Sequence, residues 1–305
     1  MKYKIQKIHI NLILVVLLII IILLLQLQFY GCNDSSGYNH DKTTGIVVSI
    51  LPQSEFIEKV GEDKFNVTVM IPPGASPHTY EPAPSQLEDI SNAVLYAKVG
   101  SGIEFELAWM DKIIKMNREM YVLDCSKGIE LLSTSGKDND QNSSGKDPHI
   151  WLSPLNAKIM VENIYNGIAE IDPGNKDFYY ENKISYQLEL DRLDDQIRSI
   201  LSDRKNRKIL VFHPAWTYLA EEYGLVQIAV EQEGKGPTIK SMERIIDQAR
   251  KYDIKVIFAS PEFSTKSVEA IAEEIDGSVV LVSPLEKDYI KNLKKVVTAF
   301  AASME

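Results

Sequence analysis

Apolar and polar positions fall into short alternating blocks over most of the chain. GIVVSILP (45–52) and VTVMIPPG (67–74) are apolar runs stopped by proline or glycine, and both read as β-strands. Ser85-Gln86-Leu87-Glu88 has the spacing of a capping box and predicts a helix start. Further strands are expected at VLYAKVG (94–100) and MYVLD (120–124). SGKDNDQNSSGKD (135–147) has almost no apolar residue and reads as a surface loop.

From Ser153 the period changes. Ser153 suits an N-cap and Pro154 the first helical position of PLNAKIMVENIYNGIAEID, which stops at Pro173-Gly174. Asn175 to Asp203 holds no proline or glycine, and Tyr186, Leu190, Leu193, Ile197 and Ile200 form a one-sided stripe. Such a helix would be on the order of 40 Å long. Beyond it, strands KILVF (208–212), VQIAV (226–230), KVIFA (255–259) and SVVLVS (278–283) alternate with helices AWTYLAEEYG, MERIIDQARKYD, SVEAIAEEIDG and DYIKNLKKVVTAFAASM. Strands separated by helices call for parallel sheets with right-handed crossovers. The expected fold is α/β: two lobes, 45–173 and 205–305, each a mainly parallel sheet flanked by helices, joined by one long rigid helix over 174–204.

The N-terminus differs in kind. Lys2, Lys4 and Lys7 precede an unbroken apolar run from Leu12 to Leu25. That is shorter than the roughly 20 residues of a spanning helix and fits a secretory signal covering 1–31. The FYGC that follows resembles a bacterial lipobox and marks Cys32 for lipid attachment; an uncleaved anchor is the alternative. Either way the body is expected outside the cytoplasm, tethered to the membrane through the polar segment 32–44. With Cys32 lipidated, Cys125 has no disulfide partner, so stability must come from packing. Without residues 1–31, which hold three lysines and no acids, 30 basic residues face 43 acidic ones, a balance of −13. That argues against nucleic acid and is compatible with a cation ligand.

Of five histidines, His9 lies in the signal and His40 in the tether. The other three have similar local surroundings, SPHTYEP around His78, DPHIWLSP around His149 and VFHPAW around His213. Each has a neighbouring proline that stiffens the backbone carrying the imidazole, and none sits inside a helix. His213 follows a strand at the carboxyl edge where α/β sheets gather ligands. A single histidine of this kind is an ordinary hydrogen-bonded loop residue; three together leave a metal site and the bland reading evenly matched. No close Cys or His pairs suggest a zinc finger. GKGPT (234–238) lacks the order of a P-loop. Asp138, Asp140 and Asn142 lack the glycine and distal glutamate of a calcium loop, and no G-x-S-x-G elbow supports a serine hydrolase.

PHTYEPAPSQLEDISNA, DPHIWLSPLNAKIM, VFHPAWTYLAEEYGL and SPLEKDYIKNL, in this order, resemble the zinc and manganese substrate-binding lipoproteins of ABC importers, over nearly the whole chain after residue 32. The resemblance implies two lobes on a rigid helix with a metal between them, His78 and His149 from the first lobe and His213 from the second. It further implies capture of zinc for an ABC permease by a monomer. Three histidines point to Zn2+, whereas manganese members carry a carboxylate in third place, in keeping with the softness of each ligand.

One departure stands out. Ser283 occupies the place of the family's aspartate ligand before Pro-Leu, and a neutral hydroxyl is a feeble zinc ligand. Water, Ser283 through a water, or a carboxylate remain as the fourth ligand, and Glu262, after the strand KVIFA, is the best-placed carboxylate. Three histidines plus water also describe catalytic zinc, which keeps a hydrolase as an alternative beside a manganese binder or an adhesin; no positioned general base accompanies them, so no enzyme is expected. The 135–147 loop lacks the histidines of zinc-gathering loops, and plain disorder is expected there, with a weak electrostatic lure by Asp138, Asp140 and Asp147 as the alternative.

Overall fold

The computed structural model describes residues 44–133, 145–231, 236–262 and 266–304. The signal segment, Cys32, His40, Asp138 and Asp140 lie outside these residues. The described chain falls within one compact unit, Thr43–Glu305.

Two four-stranded parallel sheets organise it. The first contains β1 (Thr44–Val48), β2 (Phe65–Val69), β3 (Leu95–Lys98) and β4 (Tyr121–Asp124), in the order β2-β1-β3-β4. The second contains β5 (Lys208–Val211), β6 (Val226–Ala229), β7 (Val256–Ala259) and β8 (Ser278–Leu281), and repeats that order as β6-β5-β7-β8. All six pairings are parallel. In each sheet the order reverses direction at its first strand, which opens a crevice beyond the carboxyl ends.

The first lobe has helices α1 (Leu51–Gly61), α2 (Pro84–Asn92) and α3 (Glu104–Met116), followed by α4 (Pro154–Ile171). The linking helix is α5 (Lys176–Leu201), 26 residues. The second lobe has α6 (Thr217–Tyr223), α7 (Ile239–Lys251), α8 (Lys266–Glu274) and α9 (Tyr289–Ala302). Ser153 caps α4 by accepting from Asn156 N at 3.2 Å. α6 ends at Gly224 in the left-handed region (φ 67°), where a side chain would be strained. Among the described residues no helix is long and apolar enough to cross a membrane.

Three local expectations need correction. The strand ends at Val48, and LPQ opens α1, because Gln53 Oε1 accepts from Ser49 N and Ile50 N and so caps a helix where the apolar run hid one. The start of α2 is set by Pro84 and by Gln86, whose Oε1 accepts from Ala83 N at 3.0 Å, while Ser85 is exposed. The α5 stripe extends back to Tyr179 and Lys183 and ends on Leu201, which is buried while Ile200 is only partly so. Buried Lys183 is held by Glu162 at 2.9 Å.

The main core runs from the first sheet through α5 and α9 to Phe258 and Val282 of the second. A smaller cluster around Leu210, Ile257 and Ile271 fills the far side of the second lobe. At the junction the buried carboxylate of Glu55 (α1) accepts from Tyr186 Oη (α5) at 2.7 Å and Tyr289 N (α9) at 2.6 Å. One side chain thus ties the first lobe, the linking helix and the last helix together.

Candidate metal site

His78 sits in a turn beyond β2, where Thr79 N and Tyr80 N bond Ser76 O and Phe105 N bonds Pro77 O at 3.1 Å. His149 opens a single 3₁₀ turn, Ile150–Leu152, and its own N–H is held by Asp147 Oδ1 at 2.8 Å. His213 lies just past the end of β5, at the reversal point of the second sheet.

The three imidazoles, 64 and 71 residues apart at their nearest spacings along the chain, meet. Ring centroids of His78 and His213 are 5.0 Å apart, and those of His149 and His213 5.1 Å. His149 Nε2 and His213 Nε2 approach to 3.2 Å. Each ring turns its Nδ1 to a carboxylate at 2.9 Å: Glu104 behind His78, Asp147 behind His149 and Glu231 behind His213. An ionised carboxylate can only accept, so Nδ1 carries the proton and Nε2 keeps its lone pair. Two such lone pairs facing each other repel unless a proton or a cation lies between them. In a tetrahedron of nitrogens about 2.0–2.1 Å from zinc, neighbouring nitrogens are roughly 3.3 Å apart, close to the distance observed. Among the described residues no set of three such side chains already surrounds one point as a complete cage; two nitrogens stand at the spacing of such a cage, with His78 beside them.

The charges suit this arrangement. Burial holds His213 below its ordinary pKa, and the neighbouring His149 and His78 add to that against the pull of Glu231, which keeps the ring neutral. His78 is raised by its bond to Glu104, which outweighs burial. Burial pushes Glu104 up, but the bond and charge of His78 prevail and hold it low. Asp147 is likewise lowered despite burial, through the charge of His149 and bonds from His149 and Thr217.

Asp147 is neither disordered nor part of a surface lure: it is 2% exposed and belongs to the site itself, whereas Asp138 and Asp140 lie outside the described residues. Glu104 and Glu231 also escape a reading of the sequence. The Asp-Pro-His spacing could have flagged Asp147, whereas Glu231 is 18 residues from His213 and is brought to it by the β5–β6 pairing. Glu262 bonds Ser260 and, at 3.0 Å, Ser283. Its partner Ser260 lines a small cleft with His213, Trp216 and Pro284.

Two parallel-sheet lobes on one long helix, with imidazoles from both meeting where the sheets end, define a metal-binding protein of the two-lobed substrate-binding class. The sequence profile of the zinc-uptake complex component A, periplasmic, matches residues 46–303, and the chain belongs to that family. It is 30% identical over 265 residues to the high-affinity zinc uptake system protein ZnuA of Bacillus subtilis, covering 84% of this chain and 82% of that one. A crystal structure of ZnuA superposes with a TM-score of 0.81 at 40% identity, over 87% of this chain and all of that one. The laminin binding protein of Streptococcus agalactiae, described as a bifunctional adhesin and metal transporter, shares the fold at 24% identity, with a TM-score of 0.78 over 87% of this chain and 100% of that one.

Proposed function

We propose that this protein binds zinc outside the cytoplasm and delivers it to the permease of an ABC importer. The observation that carries the reading is the pairing of His149 and His213 through Nε2 at 3.2 Å, with each Nδ1 anchored to a carboxylate. His78, His149 and His213 are the ligands in this proposal. Water or another exchangeable group completes the shell, since Glu262 is committed to Ser260 and Ser283; Glu262 as a direct ligand is the competing assignment. A leader over 1–31 and a lipid on Cys32 would keep a monomeric protein at the membrane surface, beside its permease.

The role is capture, with no catalytic step. The carboxylates nearest the histidines are bonded to their Nδ1 atoms and are not placed as a general base toward a bound water. Manganese is the second cargo to test, because the nitrogen-rich set favours zinc by ligand softness. Elemental analysis of the purified protein, with competitive zinc and manganese titrations, tests the reading. Zinc in one-to-one amount, and loss of affinity in each histidine-to-alanine variant, is expected. Manganese preference, or hydrolysis of an ester or hydration of CO2 above the rate of free zinc, would overturn it.

A further inference from the structure

The structure assigns Glu104, Asp147 and Glu231 as three positioning residues, one per imidazole, that fix Nε2 as the donor atom and rank in importance with their burial. This inference rests on the zinc-binding reading above. The three carboxylates come from unrelated places: the first turn of α3, the turn before His149, and the end of β6 in the second lobe. All three nevertheless make the same contact, Nδ1 to carboxylate oxygen at 2.9 Å. A neutral imidazole in water exchanges between two tautomers, and only the one with its proton on Nδ1 presents Nε2 to an ion. A buried acceptor behind Nδ1 selects that tautomer and orients the ring before the ion arrives, and outer-shell partners of this kind change metal affinity by roughly 10–100-fold.

Their surroundings differ. The side chains of Asp147 and Glu231 are 3% and 6% exposed, whereas that of Glu104 is 49% exposed. Asp147 Oδ1 also accepts from the backbone N–H of His149, and the main chain that carries Glu231 is tied through its N–H to Phe212 O at 2.8 Å. Water can replace Glu104 behind His78 but cannot easily reach the other two. Substitution of Asp147 or Glu231 should therefore cost far more than substitution of Glu104.

The test uses the full chain with zinc as probe. Affinity is measured by competition with a chromophoric chelator for Glu104→Gln, Asp147→Asn, Glu231→Gln, Glu231→Ala and His213→Ala. Histidine tautomers are read from two-bond proton–nitrogen NMR spectra of the metal-free protein. Expected are a loss of roughly 10–100-fold for Glu231→Ala, and a smaller loss for Glu231→Gln, whose amide oxygen still accepts from Nδ1. Asp147→Asn should resemble Glu231→Gln, and Glu104→Gln should stay within a few-fold of the parent. His213 should show the Nδ1–H tautomer in the parent and a mixture in Glu231→Ala. If Glu231→Ala does not fold, the amide variant and its spectrum carry the test. Parent-like affinity and tautomer in both Glu231 variants, with affinity lost in His213→Ala, would refute positioning and leave the metal site standing. Loss in Glu231→Gln as complete as in His213→Ala would make Glu231 a ligand and also refute it. Parent-like affinity in His213→Ala would remove the underlying site and this inference with it.

Discussion

Removing the carboxylate of Glu106 should loosen the first lobe and blur its half of the proposed metal site. Glu106 lies in the first turn of α3 and is 5% exposed. Its Oε1 accepts from Val99 N at 2.6 Å and Ser49 Oγ at 2.5 Å, and its Oε2 from Gly100 N at 2.9 Å. These bonds hold the loop after β3, whose next residue, Ser101, donates to Pro148 O at 2.5 Å and so anchors the turn that carries His149. Glu106→Ala takes this acceptor from the buried Val99 N, from the half-buried Gly100 N and from Ser49 Oγ, which keeps only Tyr96 Oη at 3.0 Å. At about 1–3 kcal/mol for each orphaned polar group, partly relieved by entering water, the loss is about 3–6 kcal/mol. That is a large share of the roughly 5–15 kcal/mol of a typical domain. Glu106→Gln is gentler, at about 1–3 kcal/mol, because either amide orientation still sets an NH2 against one N–H donor. Urea unfolding of the metal-free protein followed by circular dichroism measures the first quantity, and chelator competition measures zinc affinity. The reasoning fails if the alanine variant unfolds within about 1 kcal/mol of the parent, the lower bound for one orphaned group, or if the alanine and glutamine variants are equally stable.

Zinc affinity should fall as pH drops from about 7.5 to about 5.5, because protons compete for the same Nε2 lone pairs; an affinity flat over that interval would count against imidazole ligation. His78, raised by Glu104, takes up its proton at a higher pH than His213, which burial lowers. For the metal-free fold the signs are separate: the raised His78 contributes stability below about pH 6.5 that disappears as pH rises through its folded pKa. The lowered Glu104 contributes above about pH 4.5 and loses that as pH falls through its own. Removing Glu104 should therefore flatten the pH dependence of the melting temperature above about pH 6.5 and below about pH 4.5, and an unchanged profile would deny the pair any role. Trp151→Phe abolishes the 2.8 Å bond from Nε1 to Pro284 O across the lobes and should cost about 1–3 kcal/mol in urea unfolding; a cost near zero would mean that water takes over the carbonyl. Glu262→Ala should leave zinc affinity near that of the parent, and a loss as large as that of a histidine variant would restore Glu262 as a ligand.

Block periodicity was enough to read the parallel sheets and α5, since long apolar stripes and proline or glycine stops are local signals. α1 and α3 escaped it. The start of α1 is fused to an apolar strand, and α3 mixes Glu106 with Phe105 and Trp109 because its first turn serves polar bonds in the interior. The histidines were visible through their proline neighbours, but that they meet is a product of topology. The second layer was hidden for a physical reason: an acidic residue in sequence looks like solvated surface, and only the fold reveals that Asp147 and Glu231 are nearly dry. Ser283 illustrates the same limit, as its hydroxyl turns out to bond Glu262 and to accept from Leu285 N at 3.1 Å.

The Glu55 junction has a mechanical consequence. The chain passes from the first lobe to the second along α5 and returns at Tyr289, and Glu55 clasps both passages. Gathering both passages on one carboxylate resists separation there, and the Trp151 Nε1 bond to Pro284 O adds a further tie across the lobes. Any parting of His213 from His149 would have to break or bend around these ties. A partner that pries the lobes apart would have to overcome the Trp151 bond as well to lift His213 away from His149.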